Sequence, residues 1–174
     1  MTPSEIYFAA GCFWGTEKLF QSIRGVTDTE CGYANGNRDI LPDYKRVCVG
    51  DTGYRETVRV RYDPQVVTLP RLLKAFFYVV DPTVENRQGN DIGTQYQTGI
   101  YYTDDASGEV VRAYAREEAK QYPKFCVEIA PLSVFHNAED YHQDYLLKNP
   151  GGYCHIPPRE FTHIQEVVDA GSES

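Results

Sequence analysis

The chain has no run of about 18 apolar residues, the length a membrane span needs, and no basic segment leading into a long apolar stretch near its start. Neither a bilayer-spanning helix nor a secretory leader is expected, and the sequence reads as that of a soluble, cytoplasmic protein. Positive charge is also scarce: 17 Lys and Arg stand against 25 Asp and Glu, a net charge of −8. Nucleic-acid binding rests on basic side chains that neutralise phosphates, so that class is excluded. The 14 Tyr and 8 Phe could stack on bases, but no basic stripe is interleaved with them. There is no C-x-x-C pair, and 5 cysteines make an odd count, which suits neither a disulfide framework nor a four-thiolate zinc site. H-E-x-x-H is missing too, and the one close Cys–His pair, Cys154-His155, is adjacent and poorly spaced for a tetrahedral metal. Repeats and low-complexity tracts are lacking, so residues 1–174 read as one domain large enough to bury a core unaided.

What is present is concentrated first at Gly11-Cys12-Phe13-Trp14-Gly15. The apolar run 6–10 reads as a buried strand, and 16–23 as a helix closed near Gly25. Cys12 then falls at a helix start, where free backbone N–H groups and the helix dipole favour a thiolate and predict a pKa below the free value of about 8.5. The competing reading makes Cys12 a small buried core residue, as free cysteines often are. Cys31, Cys48 and Cys126 read as core or surface residues.

Along the chain the periodicities predict a strand over 5–10, a helix over 14–23, a Gly- and Asn-rich loop around 32–39, a strand over 54–62 and a helix over 68–80. A loop over 81–93, a strand over 97–103, a helix over 105–121, a strand over 125–132 and a helical patch near 138–147 follow. The segment from about 150 to 174 reads as irregular. Strands alternating with helices indicate an α+β domain, a two-layer α/β sandwich. Leu69, Leu72, Leu73, Phe76, Phe77 and Val80 form a core-facing stripe, stopped by Pro82. The loop 86–93 is polar and glycine-rich, hence plain surface or a site wall.

In the strand over 54–62 the period of two puts Glu56 on one face with Val58, Val60 and Tyr62, and Arg55, Thr57, Arg59 and Arg61 on the other. An inward carboxyl with no cation beside it has a raised pKa and can serve as a general acid near neutral pH. The alternative is a Glu56 at the strand start that faces water or an arginine.

Several segments in order, Gly11-Cys12-Phe13-Trp14-Gly15, Gly32-Tyr33-Ala34, Gly53 to Glu56, Asp81-Pro82-Thr83, Asn86 to Asp91, Gly93 to Tyr96, Ala138 to Gln143 and Gly152-Tyr153-Cys154, together resemble the A-type peptide-methionine sulfoxide reductases. The resemblance spans residues 5–155 and implies a central mixed sheet with flanking helices and long irregular segments. It implies thiol-dependent reduction of the S epimer of methionine sulfoxide, free or protein-bound, by Cys12, with no metal or organic cofactor. Glu56 would supply a proton, Tyr33 and Tyr96 phenolic donors to the sulfoxide oxygen, and Asp91 support for the site or its water. Phe13 and Trp14 would hold the substrate methyl group. Cys154, after the flexible Pro150-Gly151-Gly152, would swing toward a Cys12 sulfenic acid and form a disulfide that thioredoxin, or dithiothreitol in vitro, reduces. A monomer is expected.

Two departures from the family pattern concern loop packing: Tyr54-Arg55 stands where many members carry His-Ala, and Asn35 where they carry Gly. No cysteine follows Cys154, so a further thiol relay there is not expected. A cysteine hydrolase pairing Cys12 with a histidine, and a non-catalytic aromatic-rich binding domain, are the competing functions. His142 reads as structural.

Overall fold

The computed structural model describes residues 4–170. Its framework is a six-stranded sheet built from β1 (Ser4–Ala9), β2 (Val26–Ala34), β3 (Arg55–Tyr62), β6 (Gly99–Tyr102), β7 (Glu128–Pro131) and β8 (Phe135–Asn137), in the order β7-β6-β1-β3-β2-β8. All neighbours are antiparallel except β6 and β7, which run parallel, so the sheet is mixed. The helices are α1 (Phe13–Gln21), α2 (Tyr44–Cys48), α3 (Leu69–Val79), α4 (Asp105–Ala119), α5 (Tyr145–Lys148) and α6 (Pro158–Asp169).

The alternation along the central strands decides which face is covered. Ile6 and Phe8 of β1 and Val58, Val60 and Tyr62 of β3 enter the main core, where Phe8 stacks on Phe20 of α1 and Phe76 of α3 with ring centroids 4.5 and 5.2 Å apart. Arg59 and Arg61, on the opposite face, pair with Asp28, Glu30 and Glu5. The α+β architecture with a mixed sheet and flanking helices is therefore present. The helix stripe of α3 is buried as its spacing predicts, Leu69, Leu72, Leu73, Phe76 and Phe77 all facing inward.

Three parts differ from the sequence reading. Strand β2 covers 26–31, which the periodicities assign to no element, and 32–34, read as the start of a Gly- and Asn-rich loop; its outward Asp28 and Glu30 are held by Arg59 across the sheet. The 81–93 loop contains a short hairpin, β4 (Arg87–Gln88) with β5 (Asp91–Ile92). The C-terminal segment is not irregular throughout: Pro158 begins α6, whose Ile164 and Val168 are buried, and residues 171–174 lie outside the described part.

The two family departures have local explanations. Asn35 has φ 55°, a left-handed conformation that glycine adopts freely and Asn better than most, and its side chain accepts from the Ser133 N–H and donates to the Pro131 carbonyl. Tyr54 is fully buried over Gly36, where a Cβ would lie 2.2 Å from its ring, and Arg55 grips Glu128 of β7 with two bonds of 3.1 and 3.2 Å.

Candidate active site at the start of helix α1

After β1 the chain turns at Gly11, whose φ of +85° and contact with Gln88, 2.9 Å from a would-be Cβ, both demand glycine. Cys12 then occupies the N-cap of α1, as expected, with the side chain only 6% exposed. Its acidity is the reverse of the expectation. Burial, first, and the Glu56 carboxylate, second, push the thiol well above its ordinary pKa, while the Trp14 backbone N–H works the other way. The physical reason is magnitude: a helix start contributes roughly 1 kcal/mol to an anion, less than the several kcal/mol that taking an ion out of water costs. At rest Cys12 is a thiol.

Glu56, on β3, points inward as the alternation predicts and is 1% exposed. Its Oε1 accepts the Phe13 N–H at 3.1 Å, satisfying one free donor of the helix start, and its Oε2 has no partner among the described residues. Burial raises its pKa to about 8; the Phe13 bond opposes this and the nearby Asp91 charge adds to it. Glu56 is thus a neutral acid at pH 7, and the second cause raising Cys12 is then largely switched off.

Tyr33 lies directly across from Glu56 in the β2–β3 register and shares its face. Its hydroxyl, however, donates to Glu139 Oε1 at 2.7 Å. Glu139 Oε2 accepts the Tyr44 backbone N–H at 2.9 Å, so Glu139 ties β2 to the first turn of α2. Two other phenols belong to the same cluster. Tyr44 and Tyr96 are each raised by burial and next by Glu56, and each senses Cys12; Tyr96 senses Tyr44 as well. The sequence reading passed over Tyr44, because nothing in local spacing separates it from 13 other tyrosines.

An aromatic wall backs this cluster. The Trp14 indole N–H donates to His142 Nδ1 at 2.9 Å, and the His142 ring lies 5.1 Å from Phe13 and 4.5 Å from Tyr44. Trp14 also stacks on Tyr145 at 3.9 Å. Accepting that bond puts the His142 proton on Nε2, and burial keeps the ring neutral by lowering its pKa.

The opposite side of Cys12 is formed by residues 153–156. The Cys154 sulfur rests on Gly15, 2.8 Å from where a Cβ would stand, and accepts the Ile156 N–H at 3.4 Å. Asp91, on β5, accepts from the Tyr153 hydroxyl at 2.9 Å and its charge is felt by both Cys12 and Glu56. The structure therefore gathers Cys12, Glu56, Tyr96, Asp91, Cys154, Phe13 and Trp14 in one place, and the loop 86–93 is a site wall. All five thiols are free. Cys31 is buried beside Glu17, Cys48 is exposed, and Cys126 is half-buried with its sulfur toward the Thr83 carbonyl.

A mixed sheet that sets a buried thiol, a neutral carboxyl and two phenols around one helix start is the frame of a thiol enzyme. More narrowly, the chain belongs to the peptide methionine sulfoxide reductase family, whose model matches residues 4–170. A peptide methionine sulfoxide reductase MsrA from Lachnoclostridium phytofermentans is 51% identical over 152 residues, covering 87% of this chain and 91% of the relative. Among solved structures, reduced Mxr1 from Saccharomyces cerevisiae superposes with a TM-score of 0.84 at 40% identity, over 88% of this chain and 89% of the other. The same yeast protein in complex with Trx2 gives 0.59 at 26% identity, over 83% and 85%.

Proposed function

We propose that this chain reduces the S epimer of methionine sulfoxide, free or within proteins, to methionine. The observation that carries the reading is Glu56: a fully buried, protonated carboxyl with one unpartnered oxygen beside the Cys12 thiol. Sulfoxide reduction needs a nucleophile for sulfur and a proton for oxygen, and a hydrolase would need neither a neutral acid nor a second thiol.

The Cys12 sulfur attacks the sulfoxide sulfur while Glu56 gives its proton to the oxygen, and the Cys12 thiol proton passes to the Glu56 carboxylate in return; the hydroxyl then moves from the substrate sulfur to the Cys12 sulfur as the S–S bond of the intermediate breaks, so that methionine leaves and Cys12 is a sulfenic acid. Because the resting thiol is protonated, the substrate oxygen is the natural recipient of the charge that ionisation would create. Tyr96 and Tyr44 donate to that oxygen. Tyr33, by contrast, would surrender a charge-assisted bond to Glu139, worth about twice a neutral one. Tyr33 therefore supports the site through Glu139. Phe13 and Trp14 form the apolar seat of the methyl group, and their fixed rings supply the choice between epimers.

Cys154 then condenses with the sulfenic acid, releasing water and leaving a Cys12–Cys154 disulfide. A thioredoxin-type dithiol reduces it, a partner supported by the yeast relative's complex with Trx2. These steps call on no metal or organic cofactor. The decisive experiment supplies separated S and R epimers with dithiothreitol and measures methionine: release from S alone is expected, and equal release from both would overturn the reading.

A further inference from the structure

The reading of the sequence expects a mobile Cys154 that travels to Cys12, but residues 153–156 are already seated. A Cβ on Gly151 would meet nothing within 4 Å, so this position faces open space. From Tyr153 onward the chain is fastened: Tyr153 to Asp91, Ile156 into the main core, and α6 against α1 and α3. The central fastener is His155. Its Nε2 bonds the Ala10 carbonyl at 2.8 Å, and because a carbonyl only accepts, the proton must sit on Nε2. A Cβ on Gly11 would lie 3.2 Å from His155 Nε2, and one on Gly15 3.4 Å from its Cε1 and Nδ1. The imidazole thus lies across the turn from Gly11 to Gly15, over the backbone of Cys12, with its side chain only 7% exposed. Nδ1 faces Asp91 Oδ2 at 3.8 Å, beyond hydrogen-bond reach, and neither atom has another partner among the described residues.

We propose that His155 is a positioning residue for disulfide formation: its bond to the Ala10 carbonyl holds the Cys154 sulfur against Gly15, in register with Cys12. This rests on the roles given above to Cys12 and Cys154. The step served is Cys12–SOH plus Cys154–SH giving Cys12–S–S–Cys154 and water, in which the sulfenic sulfur is reduced, the thiol sulfur oxidised and the hydroxyl leaves with the thiol proton. His155 exchanges no proton in it. What it supplies is proximity, which removes the search a free loop would otherwise make. Because Ala10 immediately precedes the Gly11 turn, the carbonyl that receives His155 is built into the same turn that positions Cys12. Both sulfurs are referenced to one short stretch of backbone.

The test is a single-turnover reaction without reductant, following methionine formed, thiols lost and the capture of Cys12 sulfenic acid by dimedone. With His155→Leu, methionine should form within about twofold of the wild-type rate, disulfide formation should slow at least tenfold, and dimedone capture should rise. His155→Gln carries an amide nitrogen as far from Cβ as Nε2 and should restore condensation to within about threefold. If His155→Leu does not fold, His155→Asn, too short to reach Ala10, should show the same slowing. Wild-type condensation in the Leu or Asn variant overturns the proposal, as does a Gln variant as slow as Leu, since the bond to Ala10 would then not be the cause. Failure of the underlying reading looks different: wild-type protein itself would yield no methionine or no Cys12–Cys154 disulfide.

Discussion

The two sides of Cys12 are made of different materials. On one side stand Glu56 and Tyr33 on neighbouring strands, with Tyr44 and Tyr96 in short helical turns fixed by Glu139 and the 81–96 loop. On the other, residues 153–156 carry no sheet hydrogen bonds and are held by three side-chain anchors. A sheet-built wall suits a group whose pKa must be set by burial, because the sheet cannot relax to let water reach Glu56. A strapped-on wall suits a sulfur that must form a bond, accept a reductant and return. In the proposed mechanism the first side performs chemistry on the substrate and the second restores the enzyme, and substitutions should separate them.

The largest effect belongs to the residue both sides share. Cys12→Ser should abolish methionine release to background, since an alcohol offers no comparable nucleophile; turnover at a tenth of wild type with dithiothreitol would break the comparison at its centre.

Glu56→Gln should slow methionine formation by about 10²-fold or more, the scale for losing a general acid, with disulfide formation from pre-formed sulfenic acid unchanged. For the wild type, the single-turnover rate should fall as pH rises through about 8, where Glu56 loses its proton. The same shift affects stability. The folded carboxyl keeps its proton up to about 8 and the unfolded one releases it near 4.5, so raising pH between these values favours unfolding. At pH 7 this costs up to about 3 kcal/mol, which the amide avoids, so Glu56→Gln should melt higher than wild type at pH 7 and show no gain at pH 4. A melting point lowered at pH 7 would count against a buried neutral acid.

Cys154→Ser should reverse the pattern, giving one methionine per enzyme at the normal rate but little thioredoxin-driven turnover. Dithiothreitol should restore part of it by attacking Cys12 directly. Full thioredoxin turnover would assign the resolving role to Cys31, Cys48 or Cys126.

Smaller effects sharpen the first wall. Tyr96→Phe and Tyr44→Phe should each slow methionine formation about tenfold, each leaving the other donor in place. Tyr33→Phe should leave the rate within about threefold and instead lower stability by roughly 1–3 kcal/mol, because Glu139 loses a partner. A rate loss for Tyr33→Phe equal to that of Tyr96→Phe would return Tyr33 to the substrate.

The smallest concerns a single methyl group. Gly15→Ala places a Cβ 2.8 Å from the Cys154 sulfur, so condensation should slow several-fold with methionine formation little altered, read in the same single-turnover experiment.

The first wall was also the more legible one. Strict alternation in β3 placed Glu56 inward, and an apolar strand running into a helix placed Cys12 at its start. Neither pattern carries a desolvation cost, which is why the thiol's acidity was misjudged while its position was right. Tyr44 was hidden because its place depends on Glu139, 95 residues away in sequence. The second wall left fainter traces. Phe161, Ile164 and Val168 are spaced as one helix face, yet a twelve-residue helix introduced by Gly-Gly and Pro-Pro reads as loop until α1 and α3 are there to cover it. Strand β2 was half concealed because Gly32 and Asn35 mark its end as loop, and its outward carboxylates Asp28 and Glu30 give no strand signal without the arginines of β3.

The sheet ends in β7 on one side and β8 on the other, four and three residues long, and β7 closes on Pro131. A proline has no N–H to offer, and strands this short present few free backbone groups to another chain. The sheet is therefore poorly suited to templating cross-chain pairing: it can meet an extended segment of another chain without being zipped into it.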